Sequence, residues 1–272
     1  MPHARKEAHP TREPRLHRFD ESTRETLRNV AADALLVLPV GAIEQHGPHL
    51  PTGTDTFHAV WVAERSAALA AERTPIVLAP ALPFGSSGHH LPFGGTMSLT
   101  TTTYYAVLTE LVESLVGSGF TRIFILNSHG GNHELVQLVA RDVVLRCEAH
   151  IAAGSWWAIA WDALVEANAG LDGRFPGHAG RFETSLVQAM RPDLVVSGSL
   201  PERDEPTAST RPHFEPPFRA EHHGGWQAID GFSDSPVLAD PALGSRWLEV
   251  SVQPVAEAFV AFQRESGGPV RE

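Results

Sequence analysis

The chain has a single cysteine, Cys147, in 272 residues. An internal disulfide is therefore excluded, and the composition fits a reducing cytoplasm. No apolar run reaches the roughly 18 residues a membrane-spanning helix needs, so no membrane span is expected. Positive charge is short as well: 21 Lys and Arg stand against 32 Asp and Glu, a formal net charge of −11. That balance argues against nucleic acid as a partner. Met1 to Phe19 holds Arg5, Lys6, Arg12, Arg15 and Arg18 with no apolar segment behind them, so it does not read as a secretory signal. Pro2, Pro10 and Pro14 interrupt any helix there, and residues 1–20 read as a flexible arm ahead of one domain over 21–272.

Two things are present in quantity. Hydrophobic residues make up 42% of the chain, enough to bury a substantial core. Histidine occurs 15 times, and imidazole is the commonest metal ligand and a versatile acid or base.

The apolar run Ala34 to Leu38 reads as a buried strand. It leads into a loop that carries Glu44, Gln45, His46, His49 and Asp55 among Gly41, Gly47, Gly53, Pro48 and Pro51. In extended backbone, residues two apart share a side, so Glu44 and His46 can face one point. Asp55 can fold back onto that point through the turns. Carboxylates and an imidazole converging on one spot suit Zn²⁺, Mn²⁺ or Fe²⁺. Glu and His in a loop are also commonly just solvated, and Asp55 at a helix start can equally be a cap.

The pattern then repeats. Helix is expected at Glu21–Ala34, Asp55–Glu72, Thr100–Val116, about Asn132–Cys147 and Asp240–Gln263, the last with Pro254 as a break. Strand is expected at Ala34–Val40, Pro75–Pro83, Arg122–Asn127 and Ile151–Ala158. Residues 197–225 read as a long loop. Alternation of this kind specifies an α/β fold: a mostly parallel sheet flanked by helices, in a single domain. Ligands in such sheets bind at the carboxyl ends of strands. The loops with Glu44 and His46, with Ser87 and His89, and with His129, Gly130 and Gly131 all lie at such ends. Further on, Gly180 or Arg181 opens a helix with Glu183 in its first turn, where the helix dipole favours a carboxylate.

Three motifs in order, Gly-Ala-Ile-Glu-Gln-His-Gly-Pro-His-Leu-Pro (41–51) with Asp55, Asn-Ser-His-Gly-Gly-Asn (127–132), and Gly-His-Ala-Gly (177–180) followed by Glu183-Thr184-Ser185, resemble the creatininase (creatinine amidohydrolase) family. Gly231-Phe232-Ser233 and then Asp240-Pro241 look like that family's entry to its last helix, and the resemblance spans roughly Ala34 to Phe262. It implies a compact α/β fold, two divalent metal ions and hydrolysis of small C–N bonds. It also implies a homo-oligomer, often a hexamer.

By the same resemblance Glu44, Asp55 and His129 hold one ion and His46 and Asp55 the other, with Asp55 bridging. Zinc is the first expectation for the ions, with manganese or iron as alternatives. Bound water would lose a proton near neutral pH and the metals would polarise the scissile carbonyl. Two departures bear on substrate. Creatininase proper has His-Tyr-Glu-Asn where this chain has His129-Gly130-Gly131-Asn132, and an acidic residue where this chain has Gly177. The His-Gly-Gly-Asn version resembles branches that include a formamide hydrolase and a peptidase trimming a cofactor precursor peptide.

Glu183 is the candidate to complete the second metal, since a catalytic ion usually has three protein ligands. His178 is the candidate to pass a proton to the leaving nitrogen. Ser87, His89, Gly130, Gly131 and Trp156 are the candidates to face a small-molecule amide substrate. The competing reading is a non-catalytic α/β protein with a structural metal, but such sites are usually closed by four mainly Cys and His ligands.

Overall fold

The computed structural model describes residues 16–170, 175–202 and 222–271. Strands β1 (Leu16–Arg18), β2 (Leu35–Val40), β3 (Ile76–Leu78), β4 (Arg122–Asn127) and β5 (His150–Ser155) form one sheet in the order β1-β3-β2-β4-β5. Every neighbouring pair is parallel. The helices are α1 (Arg24–Val30), α2 (Thr54–Ala70), α3 (Thr101–Gly117), α4 (His133–Val144), α5 (Trp156–Ile159), α6 (Trp161–Glu166), α7 (Arg181–Met190), α8 (Gly225–Ala228) and α9 (Pro241–Glu265). The expected α/β architecture is the observed one.

Strand periodicity builds the core. Leu35 and Val37 of β2, Ile76 and Leu78 of β3, and Phe124 and Leu126 of β4 face one side and pack with residues of α2, α5, α7 and α9. Leu36, Leu38 and Val40, Val77, and Ile123 and Ile125 face the other side and pack with α3 and α4. Both faces of the inner strands are therefore apolar, as a parallel sheet covered on both sides requires. Truncating one of these side chains, such as Ile125, to Ala would cost about 2–5 kcal/mol.

Four local expectations need correction. β1 lies inside the stretch read as an arm. Its three residues carry no periodic signal, and it exists through pairing with β3, where Leu16 sits opposite Ile76. The strand expected over Pro75–Pro83, β3, ends at Leu78, because Pro80 and Pro83 have no N–H to give to a ladder. The fifth strand stops at Ser155, and Trp156 opens α5. A short apolar run does not by itself distinguish strand from helix. Pro254 does not end the last helix, which runs unbroken from Pro241 to Glu265; Asp240 caps it, accepting from the Ala242 N–H at 2.8 Å. Most of the expected 197–225 loop, residues 203–221, lies outside the described residues, as do residues 1–15.

The order of the strands fixes where a ligand can sit. From β2 the chain moves to β3 on one side, then crosses to β4 on the other. Loops leaving β2 and β4 therefore diverge at the carboxyl edge and open a crevice between them.

Candidate metal centre

Three loops meet in that crevice and are tied by one side chain. Asn132 donates from Nδ2 to Gly41 O at 3.1 Å, and its Oδ1 accepts from Ser86 N at 3.0 Å. It thus joins the loops that follow β2, β3 and β4. Asn127, at the end of β4, holds His129 by its own backbone: Nδ2 donates to His129 O at 2.7 Å and Oδ1 accepts from His129 N at 3.1 Å. His178 is held the same way by Ser233, whose Oγ accepts from His178 N at 2.8 Å and whose N donates to His178 O at 2.9 Å. Asp55 stands in the first turn of α2 but caps nothing. Glu183 does serve its helix, since Oε2 accepts from Ala179 N at 2.5 Å, so the capping role and a place in the site coexist.

The five residues expected to bind metal come together. His46 Nε2 lies 3.3 Å from Asp55 Oδ1 and 3.7 Å from Glu183 Oε2. His129 Nδ1 lies 3.3 Å from Glu44 Oε1 and 3.0 Å from Asp55 Oδ2. His178 Nδ1 is 3.6 Å from Glu44 Oε1. All six side chains are buried. Three overlapping sets, Glu44 with His89 and His129, Glu44 with His46 and His178, and His46 with Asp55 and Glu183, each bring ligand atoms within 4.8 Å of one another.

Backbone carbonyls decide which ring nitrogen faces this centre. His46 Nδ1 lies 3.1 Å from Glu44 O, His129 Nε2 3.2 Å from Ser86 O, and His178 Nε2 3.0 Å from Gln45 O. A carbonyl only accepts, so each of these nitrogens carries the proton. The other nitrogen of each ring then turns a lone pair toward carboxylate oxygens. Lone pair against carboxylate is repulsive unless a cation, a proton or a metal ion, lies between them. Glu44 Oε2, His46 Nε2 and Asp55 Oδ2 are buried and have no hydrogen-bond partner among the described residues. Buried polar atoms are rarely left so. This donor set of carboxylates and imidazoles fits divalent metals.

The charges agree. Burial would lower the pKa of His46, but Asp55, then Glu183 and Glu44, outweigh it and raise it to about 10. Glu44 and Asp55 likewise raise His129 well above the ordinary value against burial. Asp55 is lowered despite burial, by His46 and His129. Burial pushes Glu183 up to about 8; Asp55 and Glu44 add to this, and His46 and the Ala179 N–H oppose it. A carboxylate so placed gains from a cation. His178 is pushed well below the ordinary value, chiefly by burial and then by the neighbouring histidines, so its ring is neutral.

The expected substrate-facing residues divide. His89 stacks on His129, with ring centroids 6.1 Å apart. It also lines a cavity of about 400 Å³ with Ser86, Gly88, Leu99, Thr100, Thr101 and Gly131. Ser87 is buried with Oγ 3.2 Å from His129 Nε2, so it braces that ring. Gly130 opens the short turn into α4. Gly131 does not leave a hole where a side chain is missing. A Cβ there would lie 2.4 Å from Ser86 O and 2.5 Å from His129 Nε2, so backbone and the His129 ring fill the space. Trp156 belongs to the core and is corrected on that ground: it is 1% exposed, and its Nε1 donates to Ser128 Oγ at 3.0 Å.

Sequence reasoning missed three participants. Trp226, in α8, packs its indole against His90, His178 and His89, with centroids 4.7, 5.3 and 5.4 Å apart. No local pattern marks it. His133, in the first turn of α4, is buried with Nδ1 2.8 Å from Ser155 Oγ. Asn132 carried a signal in its place at the end of the Asn-Ser-His-Gly-Gly-Asn motif.

Comparison with known proteins agrees with this architecture. The creatininase (creatinine amidohydrolase) family model matches residues 20–259. A mycofactocin precursor peptide peptidase of Mycolicibacterium smegmatis is 33% identical over 241 residues, covering 86% of this chain and 87% of that protein. The creatinine amidohydrolase of Pseudomonas putida is 30% identical over 250 residues, covering 85% and 91%. A crystal structure of creatininase superposes with a TM-score of 0.73 at 26% identity, over 92% of this chain and 97% of that one. A manganese creatininase and a mutant creatininase of Zn-Zn type each give 0.72 at 26% identity, over 92% and 98%. Sequence and fold thus agree along nearly the whole domain, and the chain belongs to the creatininase family of metal-dependent amidohydrolases.

Proposed function

We propose that this chain hydrolyses the C–N bond of a small-molecule amide or cyclic amide at a centre of two divalent ions. Glu44, Asp55 and His129 would hold one ion, and His46, Asp55 and Glu183 the other, with Asp55 shared. The observation that carries this reading is the fixing of His46 and His129 by backbone carbonyls, which aims one bare nitrogen of each ring at a different oxygen of Asp55. Zinc suits this donor set, as do manganese and iron.

When bound, the ions would supply a water that ionises near neutral pH and would polarise the scissile carbonyl. The protein's own part is proton handling and enclosure. His178 has Nε2–H committed to Gln45 O, so it can take up and release a proton only at Nδ1, the atom that faces the centre. Its neutral ring is ready to accept one proton and deliver it to the leaving nitrogen. Trp226 packs over the His89, His90 and His178 rings and would limit water on that side of the centre. The cavity beside His89 and Gly131, about 400 Å³, is of ordinary ligand-pocket size and would take the part of the substrate beyond the scissile bond. With Gly131 in place of a carboxylate, creatinine is expected to be a poor substrate.

A second reading, trimming of a short precursor peptide, draws on the similarity to the mycobacterial peptidase. One screen separates the two. Zinc- or manganese-loaded protein is offered cyclic amides, formamides and short peptides, and amine release is followed with and without chelator. Metal-dependent release from the non-peptide amides supports the first reading and from peptides the second; no metal-dependent turnover on any of them refutes both. Assembly as a homo-oligomer is proposed from the family resemblance. Sedimentation as a 29.5 kDa monomer at micromolar concentration would refute it.

A further inference from the structure

Two stacked histidines meet the same carboxylate oxygen at the same distance. His90 Nε2 and His178 Nδ1 each lie 3.6 Å from Glu44 Oε1, and their rings stack with centroids 4.2 Å apart. By distance alone both would be metal ligands or neither would. What separates them is the partner of the outward nitrogen, and in both rings that partner is Gln45. The His178 outward nitrogen, Nε2, faces the Gln45 backbone carbonyl at 3.0 Å and must carry the proton. The His90 outward nitrogen, Nδ1, faces the Gln45 side-chain Nε2 at 2.8 Å.

The orientation of the Gln45 amide is not free. Its Oε1 accepts from Gly47 N at 2.9 Å and its Nε2 donates to Gly231 O at 2.8 Å. Flipping the amide would set oxygen against the Gly231 carbonyl and NH₂ against the Gly47 N–H. The two amide hydrogens therefore go to Gly231 O and to His90 Nδ1, which must be the bare nitrogen. The 3.2 Å approach of Gln45 Nε2 to His178 Nε2 is then donor against donor and not a bond. Both rings carry their proton on Nε2, but only in His90 does Nε2 face the centre.

We propose that Gln45 is a positioning residue that turns the His90 N–H toward Glu44 and keeps His90 from being a metal ligand, while its own carbonyl leaves His178 Nδ1 bare. The inference rests on the metal-binding reading above. At 3.6 Å the His90 N–H acts on Glu44 as a dipole facing a charge, longer than a hydrogen bond. It restrains the carboxylate that faces His129. Partners of this kind, one step removed from a metal, commonly change affinity 10–100-fold when removed.

The test is a zinc titration of the full-length protein against a competing chelator, with ¹⁵N-histidine spectra as a second readout. His90→Leu, which has no N–H, should bind zinc 10–100-fold more weakly. His90→Gln, whose amide can place an N–H where Nε2 stands, should bind within about threefold of wild type. In wild type the His90 ring should show Nε2 protonated both before and after zinc. In Gln45→Met, which removes the amide but keeps the side chain's length, the His90 spectrum should change. A thermal melt of each metal-free variant checks that it folds. If wild type binds zinc and His90→Leu binds it equally well, or if the His90 Nε2 resonance moves as a ligand's would, this inference is overturned and the metal centre stands. If wild type binds neither zinc nor manganese, the metal reading falls and takes the inference with it.

Discussion

Asp55→Ala should strip both ions at once. Oδ1 of Asp55 lies 3.3 Å from His46 Nε2 and Oδ2 lies 3.0 Å from His129 Nδ1, so one carboxylate serves both halves of the centre. Zinc bound by four protein ligands is worth about 10–16 kcal/mol, so one ligand carries about 2.5–4 kcal/mol. At about 1.4 kcal/mol per decade, that is 2–3 decades in Kd, and a shared ligand imposes it on each ion. The fold should persist: alanine is a strong helix former, and α2 loses only a first-turn acid worth about 0.3–1 kcal/mol. The assay is metal content by mass spectrometry after dialysis against a chelator that leaves wild type fully loaded, with circular dichroism as the check on folding. Full content in the variant would refute Asp55 as a ligand. Loss of one ion with normal affinity at the other would refute the shared carboxylate while leaving the rest of the centre intact.

Glu183→Gln keeps an acceptor for the Ala179 N–H and so keeps the start of α7, yet it should bind one ion and not the other; retention of two at wild-type affinity would remove Glu183 from the ligand set. Gly131→Ala places a Cβ 2.4 Å from the Ser86 carbonyl, where backbone must move, and should cost about 1–3 kcal/mol in a thermal melt together with at least tenfold in metal affinity. An alanine variant as stable and as metal-avid as wild type would show that the loop yields freely. Trp226→Ala should leave metal content unchanged and raise KM roughly tenfold with a smaller change in kcat, the scale on which a stacked aromatic wall acts. An unchanged KM would place the indole outside the substrate's path.

The general layout was legible because it is written locally. Strand, polar loop and helix succeed one another over short stretches, and the carboxyl-edge rule then gathers Glu44, His46, His89 and His129 without any long-range information. Glu183 was reachable because a helix start could be read from Gly180 and Arg181. What stayed hidden depends on partners far away in the chain. The three residues of β1 form a strand only against β3. Trp156 and Trp226 are chemically alike, yet one is locked in the core and the other covers three histidines. What separates them is the set of partners each meets far along the chain. The role of Gln45 lies in bonds to His90 and Gly231, neither of them a sequence neighbour. Pro254 was misleading because proline's cost is local, whereas α9 gains from packing along α2 and α7.

The bonds of Asn132 to Gly41 and Ser86 have a consequence for how this protein could be altered. They anchor three loops at their roots, next to the sheet, and leave the outer parts of those loops and the α8 segment unconstrained by that clasp. Chemistry and selectivity are thereby separated in space. A designer could exchange Trp226 itself, or lengthen the 91–95 turn beyond His89 and His90, and expect a different guest at the door with the hydrolytic machinery behind it undisturbed. Substituting Asn132 itself would do the reverse, loosening every root together whatever the guest.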